Sequence, residues 1–151
     1  MKAIIIRGEQ SAGKSTTIRE VCKRLNPQSI YKLYNMDKKE KVDDICNSIY
    51  IIKVKEKDIL IFAGSPTEID TKISIAIDAC IEIGIDISFA IVSRRYAERK
   101  VGFDTRKELK EKGFEIIHEE LIHKIEQDNF EQTEEWNKRV DNIVNLVKQN
   151  L

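Results

Sequence analysis

From Gly8 to Ser15 the chain reads Gly-Glu-Gln-Ser-Ala-Gly-Lys-Ser, with Thr16 next. Two glycines, a lysine directly after the second and a hydroxyl after that are the parts of an anion cradle. Gly8 and Gly13 permit backbone turns that a side chain would hinder, so that successive N–H groups converge on one point. A helix starting near Gly13 adds its own unpaired N–H groups and the positive end of its dipole. Lys14 is placed to neutralise the β and γ phosphates of a bound polyphosphate. Ser15 is placed to offer its hydroxyl to Mg²⁺, an ion that takes octahedral oxygen ligands and draws several of them from phosphate. Gly8, Glu9, Gln10, Ser11, Ala12, Gly13, Lys14, Ser15 and Thr16 are therefore the candidate nucleotide-binding set, with Ser15 the candidate metal ligand.

A second group carries positive charge. Arg94, Arg95, Arg99 and Arg106 are half of the chain's eight arginines, gathered within thirteen residues behind the apolar run SFAIV. That places them on the rim where open α/β sheets bind ligands. A guanidinium fork suits phosphate and offsets charge on a transferring phosphoryl group, so Arg94 and Arg95 join Lys14 as catalytic candidates. Acid is scarcer. The run ILIFA ends in Ala63-Gly64-Ser65-Pro66, with no aspartate to hold magnesium through water. Glu68 and Asp70 come slightly later, where they serve either the metal and an acceptor hydroxyl or the first turn of the next helix. Glu68 is the fourth catalytic candidate, and Asp37 is an alternative acid for orienting an acceptor.

Other reactive side chains read as structural. His118 and His123 bracket EELI, and five residues of helix would turn the rings onto different faces, unlike the H-E-x-x-H of zinc proteases. Surface roles follow for both. Tyr31 and Tyr34, around Lys32, suit packing better than stacking on a base. Cys22, Cys46 and Cys80 are far apart and lack C-x-x-C spacing. Cys22 and Cys80 fall on apolar helix faces, and buried structural thiols are expected.

The elements that must position these groups follow from apolar spacing. Residues 2–7 read as a buried central strand, and Ile18, Val21, Cys22 and Leu25 mark a helix over 14–25 closed by Asn26-Pro27. Residues 28–44 are charged and irregular, and read as a mobile connection. Two β-branched runs, 45–54 and 58–63, flank KEK as a hairpin. Ile69, Ile73, Ala76, Ile77, Cys80 and Ile83 form the stripe of a helix that Gly84 stops. A strand at 85–92, a short helix from Asp104 to Gly113, a strand at 114–117 and a final helix through Trp136, Val140, Ile143, Val144 and Val147 complete the chain. Alternating strands and helices imply an α/β fold, with a mostly parallel sheet of about five strands including one antiparallel hairpin.

At 151 residues and 17.5 kDa one domain, 1–151, is expected. The 26 basic side chains equal the 26 acidic ones, so no overall field draws the chain to nucleic acid or an anionic membrane. No apolar run approaches the roughly 20 residues that span a bilayer. Arg7 and Glu9 interrupt the first one too early for a signal peptide. A cytoplasmic location is expected, with no membrane partner and with nucleic acid disfavoured.

With G-x-x-x-x-G-K-[ST] matched at every fixed position, between a strand and a helix, GEQSAGKS resembles the Walker A motif of the P-loop NTPase superfamily. The resemblance implies a three-layer fold that binds a nucleoside triphosphate with Mg²⁺. The hairpin before ILIFA is similar to the antiparallel pair of small GTPases. Their D-x-x-G and N-K-x-D signatures are absent, however, since AGSP and SRRY stand there instead. ATP is preferred on that ground, and GTP stays open because no residue positively selects adenine. The arginine segment resembles the lid of small nucleoside and nucleotide kinases. The leading expectation is a small ATP-dependent phosphotransferase or ATPase using Mg-ATP and a small-molecule acceptor. The alternative, favoured by the missing acid, is a nucleotide-gated binding module that orders residues 28–44 and hydrolyses weakly or not at all. A kinase of polynucleotide ends, using the arginines as a groove, ranks third.

Overall fold

The computed structural model describes all 151 residues as an α/β domain built on one seven-stranded mixed sheet. Strand β1 (Lys2–Gly8) leads through the glycine loop into α1 (Lys14–Leu25). Strands β2 (Ser29–Lys32), β3 (Asn35–Lys39), β4 (Ile49–Val54) and β5 (Lys57–Phe62) follow. The short α2 (Pro66–Ile69), α3 (Ile73–Glu82), β6 (Ile87–Arg95), α4 (Thr105–Glu111), β7 (Glu115–Leu121) and α5 (Glu134–Gln149) complete the order. The strands lie in the order β3-β2-β4-β5-β6-β1-β7. β1 runs parallel to β6 and β7, and β6 parallel to β5, whereas β4, β2 and β3 are added antiparallel on the β5 side.

Pleating sorts β1 between two apolar layers. Ile4 and Ile6 meet Ile18, Val21 and Cys22 of α1 and Val140, Ile143 and Val144 of α5. Ala3 and Ile5 meet Ile73, Ala76, Ile77 and Cys80 of α3 and Leu109 of α4. Helices therefore cover both faces of the sheet. Ile4, Ile5 and Ile6 have no exposed surface, and each contributes about 1.5–3 kcal/mol by burial. The glycine loop thus hangs from one of the most firmly held strands.

Several sequence expectations need correction. The sheet has seven strands, not about five, because residues 28–44 are not a mobile connection: they form β2, β3 and a 3₁₀ turn at Val42–Asp44. β3 escaped the apolar pattern because it is an edge strand with four of its five residues exposed. The expected strand 45–54 begins only at Ile49, and the hairpin turn is two residues, Lys55 and Glu56, both at positive φ as a type I′ turn demands. The expected long helix from Ile69 is broken by Asp70, left-handed at φ 61°, so that α2 ends there and α3 starts at Ile73. β6 continues through Ser93 and both arginines, because Ile6, Arg7 and Gly8 pair with them. β7 likewise runs on to Leu121, so His118 lies on a strand rather than a helix.

Candidate functional site

The parallel strands all end on one rim, and there the glycine loop leaves β1. Ser11 at φ 74° and Gly13 at φ 87° turn the backbone through the left-handed region. The Ala12 amide donates to the Glu9 carbonyl at 3.1 Å, closing a tight turn. Helix α1 then begins with no side-chain cap. The amides of Gly13, Lys14, Ser15 and Thr16 bond to nothing in the chain, and nothing acidic lies in the first turn of α1. Four amide donors at the positive end of a twelve-residue helix form a site for an anion.

Lys14 is only 6% exposed. Its ammonium donates to the Gly8 carbonyl at 2.7 Å and to that of Glu9 at 2.9 Å. Burial lowers its pKa from the ordinary value; Glu68 opposes the shift and Arg95 reinforces it. Ser15 donates its hydroxyl to the Ala63 carbonyl at 2.6 Å, joining the loop to the end of β5. Gly8 is the packing point: a Cβ there would stand 2.9 Å from the Ile122 carbonyl and 3.1 Å from the Ala12 side chain.

A cleft of about 250 Å³ is bounded by the loop and first turn of α1, by Glu68 and by Ser93. Glu68 accepts from the Ser65 hydroxyl at 3.2 Å and pairs with Arg95 at 3.2 Å. Ser93 is wholly buried, and its hydroxyl has no partner. Sequence reasoning missed Ser93 because it placed the strand end at Val92; a hydroxyl directly after an apolar run was the available signal.

The arginines do not form a lid. Strand alternation sends Arg94 and Arg95 to opposite faces of β6. Arg95 joins Glu68 beside the cleft. Arg94 pairs at 3.1 Å with Glu98, whose carboxylate also receives the amide and hydroxyl of Thr105 on α4. Arg94 is thus tied to α4 through Glu98 and, unlike Arg95, lines none of the clefts beside the loop, so the structure does not bring this catalytic candidate to Lys14. Arg106 pairs with Glu119 on the α4–β7 side. Arg99 is exposed, with no ion-pair partner. Asp70 pairs with Lys100. Asp37 and Tyr34 are excluded from the cleft, since four strands separate β3 from β1. Tyr31, on β2, is three strands away. His123 is exposed and His118 half-buried. Cys22 and Cys80 are buried as expected, but Cys46 is exposed.

Two larger clefts flank the loop, one on each neighbour of β1. On the β7 side about 520 Å³ lies between Ser11–Gly13 with Thr16 and the segment Lys124–Asp128, with Phe130 and Arg139 as further walls. Arg139 is 8% exposed and donates to the His123 carbonyl at 2.9 Å. A Cβ on Gly13 would lie 3.9 Å from its guanidinium. Burial depresses its pKa, against the pull of Glu120 and Glu135. The signal for Arg139 was an arginine inside the apolar stripe of the last helix, three residues after Trp136. On the β6 side about 400 Å³ lies among Glu9, Gln10, Thr67, Arg95, Tyr96 and Arg99.

No group of three or more His, Cys, Asp or Glu side chains is arranged to hold a metal. The Ser15 hydroxyl borders the phosphate-sized cleft and fits Mg²⁺ in the way that ion prefers, with few protein ligands and the remainder from phosphate and water, whereas the Glu68 carboxylate is engaged by Ser65 and Arg95. No helix is long and apolar enough to cross a membrane. No protein-family model, curated protein or solved structure matches the chain.

Proposed function

We propose that this chain is a small Mg-ATP-dependent phosphotransferase, with the triphosphate seated between Gly8 and Thr16 and GTP as the competing donor. One observation carries the reading: four unbonded amides, the Lys14 ammonium and the hydroxyls of Ser15 and Ser93 converge on a single cleft. Every one of these groups can donate a hydrogen bond to phosphate oxygen, and such donors fixed before the ligand arrives are worth most in a site that excludes water.

Lys14 needs only a short movement to exchange the carbonyls of Gly8 and Glu9 for phosphate oxygens, because those carbonyls belong to the loop that would hold the phosphates. Glu68 holds Arg95 at the cleft, so that the guanidinium offsets charge on the transferring group. Ser93 supplies a buried donor on the side of β6. When bound with the triphosphate, Mg²⁺ neutralises phosphate charge and withdraws electrons from the reacting phosphorus. In the transfer an acceptor oxygen bonds to the γ-phosphorus, the bond from that phosphorus to the β–γ bridging oxygen breaks, and the nucleoside diphosphate leaves with the electron pair. The nucleoside points into the β7-side cleft, whose Ile125 and Phe130 offer apolar walls, and the acceptor approaches from the β6 side.

The alternative, a nucleotide-gated module with weak or no hydrolysis, still has the missing acid after β5 in its favour, but residues 28–44 form β2, β3 and a 3₁₀ turn at the far edge of the sheet rather than a connection that a nucleotide would order. The test is calorimetry with ATP and GTP in Mg²⁺, followed by turnover with a panel of acceptors and with water. Binding without transfer to any acceptor, and without hydrolysis, would overturn the assignment.

A further inference from the structure

We infer that Arg139 is a phosphate-binding residue, and that its guanidinium holds the α-phosphate of the nucleotide from the β7 side of the glycine loop. This rests on the seating of a triphosphate proposed above. Arg139 is 8% exposed, a degree of burial that an arginine rarely reaches unless a counter-ion compensates its charge. No group in the chain does so. Glu120 and Glu135 pull on the guanidinium through space, but neither forms an ion pair with it, and one oxygen of Glu120 is itself buried without a partner.

The hydrogen bonds are equally incomplete. A guanidinium carries five N–H donors, and Arg139 makes a single bond, from Nη2 to the His123 carbonyl at 2.9 Å. The residue lines both the β7-side cleft and a further cleft of about 290 Å³ beyond it. A staple for the segment after β7 would account for that one bond. It would not account for the charge, because a neutral amide donates to a carbonyl without the desolvation of a cation. Burial lowers the pKa of Arg139, so the free protein holds this charge at a disadvantage that an arriving anion removes.

Position names the anion. A Cβ on Gly13 would lie 3.9 Å from Nη1, and the Gly13 amide is one of the four donors at the start of α1 that bond to nothing. One phosphate group, accepting at about 2.8 Å from each donor, fits between guanidinium and loop. Lys14, Ser15 and Ser93 stand around the phosphate-sized cleft and take the β and γ phosphates. Arg139 shares its own cleft with Ser11, Ala12, Gly13 and Thr16, on the flank where the phosphates pass to the nucleoside, and the phosphate it meets is therefore the α one. The other charged residues of that cleft, Lys124, Glu126 and Asp128, are exposed on the outer segment, where water and salt screen them. The fork adds a demand of its own: two parallel N–H bonds to oxygens of one phosphate, which the point charge of a lysine does not reproduce.

The experiment is titration calorimetry of the intact chain in Mg²⁺ with ATP, ADP and the two diastereomers of ATP that carry sulfur on the α-phosphate, for the parent, Arg139→Gln and Arg139→Lys. Arg139→Gln should raise the Kd of ATP and of ADP by the same factor, about 10- to 150-fold, the loss of a charge-assisted contact. Arg139→Lys should fall between that variant and the parent. The parent should favour one α-thio diastereomer by about fivefold, the worth of one hydrogen bond, and Arg139→Gln should lose the preference. Urea midpoints of the free proteins separate ligand binding from a staple: they should be unchanged or higher in Arg139→Gln, since a buried charge without a counter-ion has gone. Affinity that falls only together with the midpoint, or a diastereomer preference left intact in Arg139→Gln, would overturn the inference. A parent protein that binds neither ATP nor ADP would instead overturn the seating of the triphosphate, and this inference with it.

Discussion

Replacing Lys14 by alanine separates nucleotide affinity from stability. In the free protein the ammonium is nearly buried and is satisfied by two carbonyls at 2.7 and 2.9 Å. Burial works against its charge, as its lowered pKa records. Removing it leaves both carbonyls still accepting backbone amides, that of Gly8 from Tyr96 at 3.0 Å and that of Glu9 from Ala12 at 3.1 Å, so the free protein should unfold within about 1 kcal/mol of the parent. The complex should suffer far more. A unit charge about 4 Å from a phosphate charge gains about 4 kcal/mol at the effective dielectric of a protein surface. Giving up the two carbonyl bonds offsets about 1–2 kcal/mol of that. The remaining 2–3 kcal/mol corresponds to a rise of about 30- to 150-fold in Kd. Titration calorimetry with Mg-ATP at about 0.1 M salt, beside urea unfolding of both proteins, reads the two effects separately. A Kd within twofold of the parent, in a variant of unchanged stability, would refute the placement of the triphosphate against Lys14. Affinity lost together with several kcal/mol of stability would refute the argument that the ammonium is only marginally favourable in the free protein.

Arg94→Ala should leave Mg-ATP affinity within about twofold. It leaves the Glu98 carboxylate, only 3% exposed, without its counter-ion and held by Thr105 alone, and should cost about 1–3 kcal/mol in urea unfolding; a large loss of affinity at unchanged stability would contradict the structural role. Glu68→Gln should lower kcat by less than about tenfold, since Glu68 positions Arg95, whereas loss of a general base would cost about 10²- to 10⁴-fold; single-turnover kinetics decides between them. A thiol reagent at pH 8 should titrate only Cys46 in the native protein and all three cysteines in denaturant, and fast reaction of a second native thiol would contradict the burial of Cys22 and Cys80. Burial pushes the Cys22 thiol from 9.0 to about 12. The folded state therefore holds that proton more tightly than the unfolded one, and the resulting stability is complete below pH 9 and lost as pH rises toward 12. The loss reaches about 4 kcal/mol at the upper end, and urea midpoints at pH 8 and pH 10.5 should diverge less in Cys22→Ala.

How much of this was legible in the sequence depended on whether a residue's surroundings are local. Gly13 and Lys14 could be read because the chemistry of the loop lies within eight consecutive residues, and α1 because its apolar residues recur on one face. β2 and β3 could not. Of β2 only Ile30 is buried, and β3 is held by pairing with its neighbour rather than by an apolar face. Arg94 and Arg95 look equivalent in sequence. Pairing of Arg7 with Arg94 and Gly8 with Arg95 extends the strand through them, and alternation then gives one to Glu98 and the other to Glu68. That difference depends on a register set by β1, more than eighty residues away in the chain. Arg139 was hidden for a related reason: a helix position that reads as core becomes a wall of a cleft only when the segment after β7 folds over it.

The sidedness of the site follows from the same strand order. Because β1 lies between β6 and β7, the loop that leaves it has a cleft on each flank. The two clefts share no lining residue, and their linings differ in kind. The β7 flank has Ile125 and Phe130 beside one nearly buried arginine; the β6 flank has an accessible tyrosine among three cations. A triphosphate laid along Gly8–Thr16 has two chemically different ends, a nucleoside and a γ-phosphoryl group, and the two flanks match those ends in that order. Exchanging the linings tests this without touching the loop. Arg139→Leu should weaken ATP and leave the acceptor KM within about twofold, while Arg99→Ala should do the reverse; the loss in each case is about 10- to 150-fold, that of one charge-assisted contact. If both variants moved the same constant, the two ends of the nucleotide would not lie on opposite sides of β1, and the orientation derived from the strand order would be wrong.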